Sequence, residues 1–220
     1  MSQKIRSIYE LEDYITVEYS WRRKEMTNIV NEALFSRNAH QKVLLKAAIL
    51  IIYSHWEGFI KNIARAYCKF LNSKRLKYSE VKDSFCIFQM LDYFEAKSLK
   101  INFMDCLDFI IIPQESQYEI LKIDESKYIK TRANLNSKVL KEMIFMLHLD
   151  YSLFELKENF IDDIFLHRRH AIAHGDNIEE NPTQNLEHSD LDYIYTEVII
   201  LIDIFKNQII NAANIQSYKK

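Results

Sequence analysis

The sequence predicts an all-helical fold, and three observations carry that prediction. Glycine and proline each occur only twice in 220 residues, so hairpin turns and sandwich loops would lack the residues that usually make them. Apolar residues recur at steps of three and four along most of the chain, the spacing of one helix face. Serine, asparagine and glycine stand where these runs begin or end, as caps require.

The first run, Ile8, Leu11, Ile15, Tyr19, Met26, Ile29 and Ala33, marks one stripe of a long helix. Asn38 is placed to separate it from the next helix as an N-cap. The second helix carries Leu45, Ala48, Ile49, Ile52, Trp56, Phe59, Ile60, Ile63, Tyr67 and Phe70. So wide a stripe predicts contact with several neighbours and therefore a central position. Its most apolar stretch, residues 43–53, is broken by Lys46 and falls short of the roughly 18 to 20 residues a membrane span needs. It reads as a core helix, with no membrane partner.

Residues 73–132 are less regular. They suggest a helix near 81–94, a break at Pro113, and short β-leaning runs at 109–112 and 118–121, the signature of an insertion on a helical scaffold. Helical periodicity resumes at Leu135, Val139, Leu140, Met143, Ile144 and Leu147, with Asn134 or Asn136 as cap. Ser152 followed by Glu155 has the form of a capping box, which predicts a helix starting there and running to His174. Gly175 then supplies the left-handed residue that ends it. Residues 177–188, with Pro182, read as a polar loop. Ser189 and Asp192 repeat the capping signal ahead of Leu191, Ile194, Tyr195, Val198, Ile202, Phe205 and Ile209, the last amphipathic helix. The length predicts a single domain, 1–220, with 73–132 inserted into it.

Net charge is −2, which excludes a global positive field, so any polyanion must be held by a local patch. Cys68, Cys86 and Cys106 are odd in number and lack metal-ligand spacing; they read as buried thiols in a reducing compartment. The N-terminal residues lead straight into an amphipathic pattern without an apolar signal core. The expected location is the cytoplasm.

Chemistry concentrates in one place. His167, Arg168, Arg169, His170 and His174 put five cationic or potentially cationic groups into eight positions, unusual for a core helix. At about 100° per residue, His170 and His174 lie about 40° apart on one face, with His167 near the same line. Arg169 lies about 140° from His174, so its side chain must bend around the helix or a second copy of the helix must supply the arginine. That geometry favours a site shared between two protomers.

Arg169 to His174 matches the R-x4-H signature and so resembles the HEPN superfamily, in which a polar residue such as His170 commonly follows the arginine. The context adds to the likeness: the motif ends a penultimate long helix, is followed by Gly175, and precedes a polar loop and a final helix. The segments 53–61 and 133–140 further resemble stand-alone, MAE-type HEPN-like nucleases. The resemblance implies a helical bundle that dimerises so that two motifs face each other across a cleft. It also implies metal-independent cleavage of RNA with no cofactor, in a toxin, phage-defence or restriction-linked setting where an antitoxin or defence protein is a further partner. The residues suit that chemistry. A base must take the ribose 2′-hydroxyl proton, and cationic donors must stabilise the charge that builds on phosphorus. His174 is assigned as general base, Arg169 as phosphate clamp, and His170 as second donor or acid for the leaving oxygen. Arg168 fits a looser R-x5-H spacing; Arg169 is preferred because Arg168 projects toward the Ile161, Phe165 and Ile172 stripe, where a structural ion pair is natural.

Plainer readings stand beside these. A histidine at a helix C-terminus can simply satisfy exposed carbonyls. Asp163, His167, His170 and His174 share a stripe that could hold a metal, although the two arginines would repel a dication. His55 and Glu57 could line the same cleft, but Glu57 with Lys61 is equally an exposed i, i+4 ion pair. Lys74, Arg75 and Lys77 could guide an RNA backbone, with Tyr78 available for stacking, or could merely be solvated. The alternative function is a non-catalytic HEPN module that binds RNA, a nucleotide or a protein partner.

Overall fold

The computed structural model describes residues 4–36, 39–96, 100–107, 116–175 and 186–220, the side chains of 39, 105, 107 and 116 excepted. The chain opens with α1, Ile8–Phe35, started by a reciprocal cap. The Ser7 hydroxyl accepts the Glu10 amide at 3.1 Å while the Glu10 carboxylate accepts the Ser7 amide at 2.9 Å. Leu11, Ile15, Met26 and Ala33 from the predicted stripe are buried. Then comes α2, Ala39–Ser73, which packs against α1 on one side and against the final helix on another. Every residue of its predicted stripe, from Leu45 through Trp56 to Phe70, is buried. His40–Ser73 is long and apolar enough to cross a membrane by length and composition, and the residues of its predicted stripe are buried within the bundle. Asn38 lies outside the described residues.

The segment 73–132 holds a 3-10 turn at Tyr78–Glu80, then α3 (Asp83–Ala96), α4 (Phe103–Leu107), a second 3-10 turn at Ser116–Tyr118 and α5 (Glu125–Tyr128). Among the described residues there is no strand, only two isolated antiparallel bridges, Lys77 with Ile120 and Val81 with Lys219. The β-leaning run at 118–121 is thus realised as a single bridge, in which the Leu121 amide donates to the Leu76 carbonyl at 2.7 Å. The run at 109–112 and Pro113 lie outside the described residues. Phe85, Ile87, Phe88, Phe103 and Ile123 are all buried, so this irregular stretch carries packed apolar side chains of its own.

Next, α6 (Ser137–Met146) begins where Asn136 accepts the Val139 amide at 2.8 Å. The predicted capping box at Ser152 does not form. Asp150, two residues earlier, offers an ionised acceptor, and both the amide and the hydroxyl of Ser152 donate to its carboxylate, at 2.9 and 2.7 Å. An ionised oxygen is the stronger acceptor. As a result α7, Ser152–Glu155, is one turn long. After a break the chain re-enters helix in the π form at Phe160–Leu166 and continues into α8, His167–His174. A π-turn aligns residues five apart. Phe160 and Phe165, so spaced, are both buried and stack at 6.0 Å, and Phe165 meets Tyr53 of α2 at 5.4 Å.

Gly175 ends α8 in the left-handed region, with φ of 76°, as its place in the sequence predicts. The greater part of the predicted polar loop, residues 177–185 with Pro182, lies outside the described residues. The last helix, α9 (His188–Asn214), is capped earlier than Ser189 would place it: the Glu187 amide donates to Asp190 at 3.0 Å. Asp190 thus plays, two residues earlier, the part that the sequence assigns to Asp192. All three cysteines are buried and outside any disulfide. Burial pushes the Cys86 thiol up to about 11.

Candidate active site

The two neighbouring arginines of α8 do different things. Arg168 donates from Nη2 to Asp190 of α9 at 2.8 Å, in a pair whose side chains are 17% and 28% exposed. Its Nη1 is buried without a hydrogen-bond partner among the described residues. Arg168 therefore ties α8 to the start of α9. Arg169, one residue and about 100° further on, turns to α2, where its guanidinium carbon stands 5.0 Å from the centre of the Tyr53 ring. Such a contact is attractive through the ring's negative face and leaves the N–H donors uncommitted. No ion pair joins Arg169 to a described residue.

His170 and His174 lie together as the i, i+4 spacing requires, with ring centres 6.2 Å apart. His174, at the helix end beside Gly175, is exposed; His170 is half-buried. Burial first, and then the charges of Arg169, His174 and His167, hold the His170 imidazole below its ordinary 6.5. At neutral pH it is therefore the uncharged, proton-accepting form. Just below pH 6.5 the folded chain binds fewer protons at this site than the unfolded chain does, so the site opposes folding increasingly as pH falls. An imidazole NMR titration should show His170 titrating below 6.5. In Arg169→Ala it should move only part of the way back, because burial remains; a full return would assign the shift to the arginine alone.

Tyr53 was missed by sequence reasoning as a site residue in its own right. It is buried, and its hydroxyl accepts the Leu135 amide at 2.8 Å. Glu57, one turn along α2, acts on the same phenol, which burial and that carboxylate hold in its protonated form. Glu57 does not pair with Lys61. It accepts the Thr131 hydroxyl at 2.6 Å, because the chain segment after α5 crosses this face of α2 and shields it from solvent. The available signal was the i, i+4 spacing of Tyr53 and Glu57, which places them on one face of α2.

His55 lies on the other side of α2. It is 6% exposed, its Nε2 meets Glu25 at 3.1 Å and its Nδ1 faces Arg22 at 3.5 Å, both on α1. A step of two residues from Tyr53 and from Glu57 turns it about 200° around the helix, so it does not line the cleft with Arg169. The basic cluster is also placed elsewhere. Lys74 lies 21 residues beyond Tyr53 along α2 and its end, about 30 Å at 1.5 Å per residue, and donates to the Arg6 carbonyl at 3.0 Å. Arg75 and Lys77 are exposed, but Tyr78 is buried and so is not available to stack a base. His167 is exposed. Among the described residues no three His, Cys, Asp or Glu side chains converge as metal ligands would.

The family model described as RiboL-PSP-HEPN matches residues 17–211, a span that contains α8 and the face of α2 beneath it. No curated protein and no solved structure matches the chain.

Proposed function

The chain belongs to the RiboL-PSP-HEPN family, a setting of nuclease and RNA-binding modules, and on that premise we propose that it is an endoribonuclease that cuts RNA without a metal. One observation carries the reading: Arg169 forms no ion pair with any described residue and lies beside two neighbouring histidines at an exposed helix end. A guanidinium with uncommitted donors is suited to gripping a scissile phosphate in two places. His174, the exposed member, takes the proton of the ribose 2′-hydroxyl. The alkoxide attacks the adjacent phosphorus, the bond to the 5′-oxygen breaks as that oxygen takes a proton from water, and Arg169 stabilises the charge on the phosphoryl oxygens. His170, held in its neutral form, fits the part of second hydrogen-bond donor through its N–H better than that of a proton reservoir. The products are a 2′,3′-cyclic phosphate and a 5′-hydroxyl.

Two copies would bring two α8 ends to one cleft, and the angular separation of Arg169 from His174 around the helix supports a composite site in a homodimer. A cytoplasmic toxin or phage-defence effector, masked by an antitoxin or partner protein, is the setting that suits such an activity. The test is direct. Protein stripped with EDTA is incubated with labelled total RNA, and cyclic-phosphate ends should appear. His174→Ala should lower their rate by roughly 10²- to 10⁴-fold, the usual contribution of one acid–base group. RNA left intact by the folded parent would favour the alternative, a non-catalytic module that binds RNA, a nucleotide or a protein.

A further inference from the structure

Beneath Arg169 lies a layered arrangement that no part of the proposed chemistry uses. The guanidinium rests over the Tyr53 ring at 5.0 Å. The ring also meets Phe165, tilted, at 5.4 Å. Its hydroxyl is fixed by the Leu135 amide at 2.8 Å. Glu57, beside it, is held by Thr131 at 2.6 Å, and the stretch carrying Thr131 is anchored to α2 by Arg65, whose Nη2 donates to the Ile129 carbonyl at 2.9 Å. The ring and the hydroxyl of Tyr53 thus both have fixed neighbours.

A long arginine side chain explores many rotamers, and a clamp that must find its geometry anew in each turnover loses rate. A buried aromatic platform removes that freedom without occupying the N–H donors, which a carboxylate partner would do. We propose that Tyr53 is a positioning residue for Arg169, its ring holding the guanidinium in readiness for a phosphate, and that Glu57 and Thr131 fix the platform from the side. This rests on the ribonuclease reading. It assigns a use to the end of the inserted segment, which supplies Thr131 to the site.

The experiment compares Tyr53→Leu, Tyr53→Phe and Glu57→Gln with the parent, each first shown to be folded at the assay temperature. Cleavage of one labelled RNA oligonucleotide gives kcat and KM. A second readout is independent of activity: the Nε–H resonance of Arg169, assigned by its loss in Arg169→Lys, is shifted by the ring current of Tyr53. Tyr53→Leu should lower kcat by roughly 10- to 100-fold, the scale of a mis-set catalytic group, with KM within about threefold, and should abolish the ring-current shift. Tyr53→Phe, which keeps the ring, should keep the shift and most of kcat. Glu57→Gln, which still accepts the Thr131 hydroxyl, should resemble Tyr53→Phe. If Tyr53→Leu cuts at the parent rate, or if Leu and Phe lose equally, the platform is refuted. If the parent does not cut RNA, the ribonuclease reading fails by itself. The resonance then decides alone whether the ring holds the arginine: a signal unmoved in Tyr53→Leu overturns the proposal.

Discussion

Arg169→Ala should lose cleavage by roughly 10²- to 10³-fold while melting close to the parent, and Arg168→Ala should do the reverse. Removing one preorganised donor aimed at developing oxyanion charge costs about 2.7 to 4 kcal/mol in comparable sites, which sets the first figure. Among the described residues Arg169 forms no ion pair and contributes a ring-face contact to the fold, of about 0.5 to 1 kcal/mol where partly exposed, so the melting temperature should scarcely move. Arg168 makes the 2.8 Å bond to Asp190. Its loss leaves that carboxylate, itself serving the Glu187 amide, without its cation. A cost of about 1 to 3 kcal/mol is expected, at the lower end because water reaches the pair. Parallel thermal melts and cleavage assays on the two variants check both halves. Equal loss of activity with equal loss of stability would mean that the two arginines are one structural cluster. Activity lost only in Arg168→Ala would move the clamp to the R-x5-H arginine.

The contrast between these neighbours shows what a sequence can and cannot convey. That one of two adjacent arginines faces a core stripe and the other does not follows from helical period alone, and the Arg168–Asp190 pair lies where that period points. Long-range apolar periodicity behaves in the same way: the α2 stripe, the left-handed Gly175 and the Asn136 cap are each a local choice consistent with the global packing. The losses fall where a competitor two or three residues away wins. Asp150 takes Ser152 from Glu155, and Glu187 with Asp190 forms the cap two residues ahead of Ser189 and Asp192. A π-turn is harder still, since its signal is a register shift: Phe160 and Phe165 are both buried, which a strict 3.6-residue period would not allow on one narrow stripe. Side-chain destinations across the bundle are beyond any local pattern. Nothing around Glu57 in the sequence announces Thr131, 74 positions away, as its partner rather than Lys61. The superfamily was legible because its motif is local and sits in a recognisable succession of helices; the narrower MAE-type likeness rests on the residues alone.

The largest effect on stability should come from Glu18, on the interface of α1 and α2. Arg22 is 7% exposed. It fits there because Gly58 of α2 has no side chain: a Cβ at that position would stand 2.7 Å from its Nη1. The Glu18 carboxylate accepts from Arg22 Nε at 3.2 Å and Nη2 at 2.9 Å, and from Asn62 at 3.0 Å, all on one oxygen. Glu18→Ala therefore leaves a buried guanidinium facing the Trp21 ring and His55. His55 itself is held in its neutral form by burial first and then by that same cation. Breaking a buried ion pair from one side costs about 3 to 5 kcal/mol. The side chain of Glu18 is 15% exposed, so water relieves part of the loss and the lower figure is expected. For a chain of this size that is a fall in melting temperature of roughly 6 to 12 °C. Glu18→Gln, which keeps an acceptor for the same three donors, should recover part of it. A thermal melt of the two variants decides the matter, and a change below about 1 kcal/mol in Glu18→Ala would mean that Arg22 escapes to solvent and that the Gly58 notch is not needed to hold it.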